Sequence, residues 1–227
     1  MVISMKLDNR LMAIADLVRK DKIFADIGTD HAYLPVYLVE KGIIKKAIAA
    51  DLRVGPLDNA KDAVVSYGYT EQIELRLSDG LDNFKENEVE EIAVAGMGGL
   101  LISEFINRTE WLKNENIHLI LQPMTHIEEL RKTLFDNGFI IDKEVVAKDG
   151  DKLYIILSVY YYYEVQTAYT DLDLIVGKLP YNNDTLSKEY LTKIYNKYMK
   201  KFDALKNADK ECTELEKLVG ELKLWLQ

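Results

Sequence analysis

The sequence predicts an α/β fold: a doubly wound, mostly parallel sheet with one antiparallel edge strand, followed by a helical hairpin. Three observations lead there. Strand-length apolar runs alternate with helix-length amphipathic runs from Lys6 to Gly138, the rhythm of a parallel sheet layered between helices. Two strand-length runs then follow each other across Asp149-Gly150 without a helix, so the sheet closes in an antiparallel hairpin. Beyond Asp184 the periodicity is helical alone.

Taken in order, Leu7, Leu11, Ile14, Ala15 and Val18 share one face of a helix over Lys6–Arg19. Lys22–Ile27 is a strand ending in Gly28-Thr29-Asp30. Tyr33–Lys41 is helical, with Pro35 in the first turn, where a missing amide does no harm. Lys46–Asp51 is a second strand ending in a carboxylate; a helix over Gly55–Tyr67, opened by Pro56, and a strand over Gln72–Leu77 follow. Glu91–Ala95 runs as a strand into Gly96-Met97-Gly98-Gly99 and a helix over Leu100–Asn107. Ile117–Gln122 stops at Pro123, and the helix Ile127–Asn137 is closed by Gly138. Phe139–Val146 and Lys152–Tyr162 form the closing hairpin.

Glu164–Tyr181 has weak periodicity and carries Gly177 and Pro180, as a connector would. Leu191, Ile194, Tyr198, Phe202 and Leu205 then share one helical face, with Lys193, Lys197, Lys200 and Lys201 on roughly the opposite face at ~100° per residue. After a break at Asn207–Asp209, Leu215, Leu218, Val219, Leu222, Trp225 and Leu226 repeat at helical spacing. These two helices are expected to pack as an antiparallel coiled-coil hairpin. The expected division is a sheet domain over residues 1–163, a connector over 164–183 and the hairpin over 184–227.

The chain has 227 residues, 48% of them apolar, enough for a sizeable core. Its longest apolar runs, Ile117–Leu121 and Leu153–Tyr163, are far short of a membrane span, and Met1–Arg10 lacks the pattern of a signal peptide. A cytoplasmic protein is expected, with no membrane partner. The single Cys212 leaves no internal disulfide framework or cysteine-based zinc cluster, and no metal is expected. A formal net charge of -9 by itself argues against a polyanionic partner. The lysine stripe is a local exception: it is either a solvated helix face or a nucleic-acid contact.

Open parallel sheets bind ligands outside the carboxyl ends of their strands, and three loops qualify. In Ala25–Pro35, Gly28 permits a sharp turn and close approach. Asp51 lies about 23 residues beyond Gly28, the spacing of the acid that receives a ribose diol in nucleotide-binding βαβ units; a helix cap is the other reading. Asp79, in Ser78-Asp79-Gly80-Leu81, could take the exocyclic amine of an adenine. A dinucleotide would need G-x-G-x-x-G to close amides around its phosphates, whereas Thr29–Tyr33 supplies bulk and a negative charge. S-adenosylmethionine has no phosphate and carries a cationic sulfonium and an amine, which suits acidic loops. Asp26 either serves that site or bonds loop amides. His31 is either a helix-start residue or a substrate contact, His118 in an apolar strand is structural, and His126 reads as a helix cap. The glycines of Gly96–Gly99 make a tight turn or admit a target base, and Met97 could pack on a cofactor ring.

ADIGTDHAYLP (Ala25–Pro35), AGMGG (Ala95–Gly99) and LILQP (Leu119–Pro123) resemble the motifs of the bacterial tRNA (adenine(22)-N(1))-methyltransferases. The N-terminal helix with Arg10-Leu11 and the C-terminal hairpin fit the same family, so the resemblance spans essentially the whole chain. It implies a Rossmann-like class I methyltransferase that uses S-adenosylmethionine to methylate N1 of an adenine in the D-arm region of tRNA. By position it implies a donor site of Arg10, Asp26, Gly28, Asp51, Leu52, Asp79, Gly80, Ala95, Gly96 and Met97. Asp26 and Asp30 are the candidates for stabilising the cationic product, and His31, Tyr33, Lys193, Lys197, Lys200 and Lys201 for meeting the tRNA. The general methyltransferase motif has two further glycines in the first loop, and Thr29–Tyr33 departs from it. The Asn/Asp-Pro-Pro-aromatic motif of amino-methylating enzymes is absent after the fourth strand, which fits a ring nitrogen as acceptor. A methyltransferase acting on a small molecule or protein, and a non-catalytic interaction protein, are the alternatives.

Overall fold

The computed structural model describes residues 5–163 and 168–226. Its strands are β1 (Ile23–Ile27), β2 (Lys46–Asp51), β3 (Ile73–Leu77), β4 (Glu91–Gly98), β5 (His118–Thr125), β6 (Phe139–Asp149) and β7 (Lys152–Tyr161). They form one sheet in the order β3-β2-β1-β4-β5-β7-β6. β1 to β5 are parallel; β7 runs antiparallel to both β5 and β6, so the hairpin makes that edge. β6 extends three residues beyond the expected Val146, and the turn is Gly150-Asp151, with Gly150 at φ +56.

Strand residues alternate between two apolar layers, as the pleat requires. Ile48 and Ala50 join one layer with helices α4 (Gly99–Arg108) and α5 (Ile127–Asp136). Ala47 and Ala49 join the other with α1 (Asn9–Ala15), α2 (Tyr33–Glu40) and α3 (Val54–Tyr67). Helix α1 is shorter than its apolar spacing predicts. Asp8 caps it through the Leu11 amide, and tight turns at Leu17 and Val18 carry the rest of the apolar face. His118 is locked at the opposite end of the sheet from the loops above, with Nδ1 2.9 Å from Glu91 and Nε2 2.9 Å from Ser158 Oγ. His126 does not cap α5: its backbone is left-handed (φ 55) and its ring turns to Thr125 Oγ1 at 3.0 Å. Glu128 and Glu129 supply the negative charge there instead.

The stretch expected as a connector contains α6 (Asp171–Val176), capped by Thr170 and Asp173. Helices α7 (Thr185–Asn207) and α8 (Thr213–Leu224) follow. Leu191, Tyr198, Val219 and Leu222 are buried in the same apolar layer as the sheet, so the hairpin lies on the body of the protein. A fully buried ion pair anchors the junction. Arg131 on α5 meets Glu144 on β6 at 2.8 and 2.9 Å and donates to the carbonyls of Leu174 and Ile175 at 2.6 and 3.0 Å. At Gly177, φ is +57 and a Cβ would collide with the Glu144 carboxylate.

Removing one partner of such a pair strands a buried charge. Glu144→Gln should destabilise the fold by about 3–5 kcal/mol, and the double change Arg131→Met with Glu144→Leu by clearly less. Thermal or denaturant unfolding of the two variants checks this.

Candidate cofactor and active site

Neighbouring parallel strands end together: Ile27 lies in register with Ala50 and Val94, and Asp51 with Leu77. The loops leaving them share one crevice, at the point between β1 and β4 where strand order reverses.

The first loop is drawn over β2, because the Gly28 and Thr29 amides both donate to the Ala50 carbonyl, at 2.8 and 2.9 Å. Gly28 adopts φ +79, and a Cβ there would collide with Met97 Cε. The loop after β1 therefore packs against the end of β4, and the positive φ at Gly28 is a conformation that suits glycine. Thr29 Oγ1 accepts the Ala32 amide at 3.0 Å, and α2 starts from a left-handed Ala32 (φ 52) without a side-chain cap.

Asp26 ends up 9% exposed. Burial pushes its carboxyl up to about 6, against the opposing pull of the Thr29 hydroxyl and the Arg10 charge; nearby Asp51 pushes it further up. A carboxylate so short of solvation is a candidate to receive a cation. Asp51 is also buried, and its Oδ1 accepts the Arg53 amide at 2.8 Å. The residue in the N-cap position of α3 is Arg53, so Asp51 stiffens the turn before the helix. Leu52 beside it is 62% exposed.

Asp79 sits at the mouth, 3.0 Å from Arg108. Gly80 turns with φ +55 against the Phe105 ring. On the other side, Gly96 (φ +78) follows Ala95 in β4. The buried Gln122 at the end of β5 joins this turn to α1: its Oε1 accepts the Gly96 amide at 3.1 Å and Arg10 Nη1 at 3.0 Å. Gly99 lets α4 start against the next loop, since a Cβ would lie 2.7 Å from the Thr125 carbonyl and closer to that of His126.

The structure thus brings Arg10, Asp26, Gly28, Asp51, Ala95, Gly96 and Met97 together at the strand ends, and the Ser78 amide, donating to the Asp51 carbonyl at 2.9 Å, sets the Asp79-Gly80 loop alongside. Asp30 stands outside the crevice, its side chain 68% exposed and 3.3 Å from His31 Nε2. His31 and Tyr33 stack at the rim, centroids 4.9 Å apart and planes 10° from parallel. Lys193, Lys197, Lys200 and Lys201 are all exposed on α7. Lys197 reaches Glu128 at 3.4 Å, and one turn beyond Lys193, Glu189 reaches Lys148 at 2.7 Å. Both tethers lie on segments at the crevice end of the sheet, the start of α5 and the end of β6. Gln122, Thr29 and Arg108 are the site residues that sequence reasoning missed. A glutamine closing the apolar strand LILQP was the visible signal for the first.

Asp26, Asp51 and Asp79 with a single turn glycine would repel a pyrophosphate and fit a cationic sulfonium and ammonium, while Arg10 can meet a carboxylate. The donor set therefore suits S-adenosylmethionine. Among the described residues no cluster of three or more His, Cys, Asp or Glu is placed to hold a metal ion, and no helix is long and apolar enough to cross a membrane.

Comparison with known proteins agrees with the geometry. A methyltransferase domain family model matches residues 7–157. The tRNA (adenine(22)-N(1))-methyltransferase of Bacillus subtilis is 35% identical over 153 residues, 67% of this chain and 64% of that protein. A solved m1A22 tRNA methyltransferase of B. subtilis superposes with a TM-score of 0.86 at 28% identity, covering 98% of this chain and 100% of that one. A Streptococcus pneumoniae protein provisionally named a tRNA (m1A22) methyltransferase, solved with S-adenosyl-L-methionine, gives 0.84 at 32% identity, covering 98% and 100%. The chain belongs to the methyltransferase domain family and, within it, to the tRNA (adenine(22)-N(1))-methyltransferases.

Proposed function

We propose that this protein transfers a methyl group from S-adenosylmethionine to N1 of adenine 22 in the D-arm region of tRNA. The observation that carries the reading is the crevice itself: buried Asp26 and Asp51 beside one glycine turn, facing the AGMGG turn across the Gly28–Met97 contact. When bound, the donor supplies an electrophilic methyl on a sulfonium. Asp51 would accept the ribose diol, Asp79 the exocyclic amine, Arg10 the carboxylate and Asp26 the ammonium end.

Adenine N1 has a free lone pair, so no residue must first remove a proton. The protein's task is alignment, which can contribute about 7–11 kcal/mol. N1 is engaged in folded tRNA, so the base has to be extruded; the stacked His31–Tyr33 pair offers it a platform at the rim. The methylated base is born cationic, and an ionised Asp26 would stabilise that charge. Asp30, in solvent beside His31, would serve the substrate rather than the donor. The flank of α7 with Lys193, Lys197, Lys200 and Lys201 would follow the tRNA backbone, offsetting the acidic surface elsewhere.

Incubation with tRNA and labelled donor, followed by nucleoside analysis, should yield 1-methyladenosine, lost when adenine 22 is replaced. Donor turnover without an RNA product would overturn the tRNA assignment, and no turnover would overturn both halves. Asp26→Ala should abolish transfer while circular dichroism stays native-like; wild-type methylation by the folded variant would remove Asp26 from the mechanism.

The pH dependence follows from the raised Asp26 carboxyl. Burial favours its neutral form, so ionising it costs stability as pH climbs from about 4 through about 6. A bound cation favours the charged form. Donor affinity should therefore strengthen from pH 5 to 7, with about half a proton released per binding event at pH 6. Calorimetry in buffers of different ionisation enthalpy reads this, and Asp26→Asn should flatten it.

Changing Lys193, Lys197 and Lys200 together to alanine should weaken tRNA binding and lower the slope of log affinity against log salt by roughly 2 to 3. An unchanged salt series would exclude the stripe.

A further inference from the structure

We propose that Arg108 is a positioning residue: it fixes Asp79 so that the donor site prefers a 6-amino purine to a 6-oxo purine. The inference rests on the reading of Asp79 as the adenine acceptor. Arg108, the last residue of α4, holds Asp79 at both ends. Its Nη2 lies 3.0 Å from Asp79 Oδ1 and donates to the Asp79 carbonyl at 2.7 Å, while its Nε lies 3.0 Å from Asp82 Oδ1. The guanidinium also sits 5.0 Å over the Phe105 ring, the ring against which Gly80 turns. The rest of the loop is already stiff. Ser78 Oγ donates to the Gly80 carbonyl and accepts the Asn83 amide, and Asn83 Nδ2 donates to the Leu77 carbonyl.

Two consequences follow. With Oδ1 held by Arg108, no hydrogen bond engages Asp79 Oδ2 among the described residues, so Oδ2 is the atom left to receive a donor group. A carboxylate facing a guanidinium offers acceptors only, so an exocyclic amine is welcomed and a carbonyl oxygen at the same place is repelled. A site built to hydrogen-bond one group rejects the analogue lacking it, but only if the acceptor cannot swing away. The same helix starts at Gly99 in the AGMGG turn, so it couples the loop facing the target base to the loop facing the adenine.

A purely structural account is that the pair ties α4 to the loop. Its side chains are 35% and 47% exposed, and exposed pairs contribute little to stability. Donor selectivity separates the two accounts. Arg108→Met should raise the Kd and KM for S-adenosylmethionine about three- to tenfold, with the loss on KM rather than on kcat at saturating donor. It should also narrow the preference for S-adenosylmethionine over its inosine analogue. Arg108→Lys keeps the charge but cannot span Asp79 and Asp82 together, so it should fall between the two and serves if the methionine variant does not fold. Wild-type affinity and preference in either folded variant, or a loss of kcat with preference intact, would overturn the proposal. Asp79→Asn is the control. If it leaves donor affinity and preference untouched, the reading of Asp79 fails and the proposal with it. If it lowers both while the Arg108 variants do not, the positioning role alone fails.

Discussion

The site is organised around one costly feature, a carboxylate held out of water at the end of β1. Asp26 is forced inward because β1 is a central strand flanked by β2 and β4, so its side chains reach solvent only where a loop leaves room. An uncompensated carboxylate there would be strongly destabilising. The neighbouring residues moderate that cost without removing it: a hydroxyl from Thr29, a cation from Arg10, and an opposing contribution from Asp51. The residual electrostatic demand is what a cationic ligand can satisfy. Arg10 is held by Gln122, with Asp8 and the Tyr154 ring also beside its guanidinium, and Gln122 in turn holds the Gly96 amide. The start of α1 and the turn at Gly96 thus share one buried amide.

Close backbone approach is the second constraint. Gly99 passes too near the Thr125–His126 backbone for a side chain, and Gly28, at φ +79 beneath the Met97 methyl, turns where a side chain would be strained. Both lie in the motifs that carry the family resemblance, so those motifs record packing distances as much as chemistry. The DIGTD loop lacks the further glycines both of a dinucleotide turn and of the general methyltransferase motif. Thr29 instead supplies the hydroxyl that receives the Ala32 amide and starts α2.

Most of the fold was legible because alternation and helical spacing survive in the sequence: Ala47, Ile48, Ala49 and Ala50 take opposite faces in turn. What was hidden depended on contacts between distant residues. Leu17 and Val18 continue the apolar face of α1 in tight turns, since burial and not helix propensity fixes their place. His126 looks like a cap in one dimension, but a left-handed backbone directs its ring elsewhere. Asp26, Gly28 and Asp51 could be read from their places at strand ends. Arg108 could not, because it meets Asp79 across 29 residues of sequence and belongs to no motif.

The acidic composition argued against a nucleic-acid partner, and the structure explains why a net charge of -9 is a poor guide. A sum of charges has no geometry. Buried or half-buried pairs such as Glu144–Arg131, Glu91–Arg19 and Glu88–Arg76 cancel within the sum, which leaves the placement of the remaining charges undescribed. Others, Asp26 and Asp51, are buried and present little charge to the surface. On α7, by contrast, Glu189 and Lys197 are tethered to the crevice end of the sheet, while Lys193, Lys200 and Lys201 are exposed and form no ion pair among the described residues. A polyanion responds to the local field within about a Debye length, roughly 8 Å at physiological salt. At that range an unpaired lysine flank beside the crevice outweighs a carboxylate on the far side of the molecule.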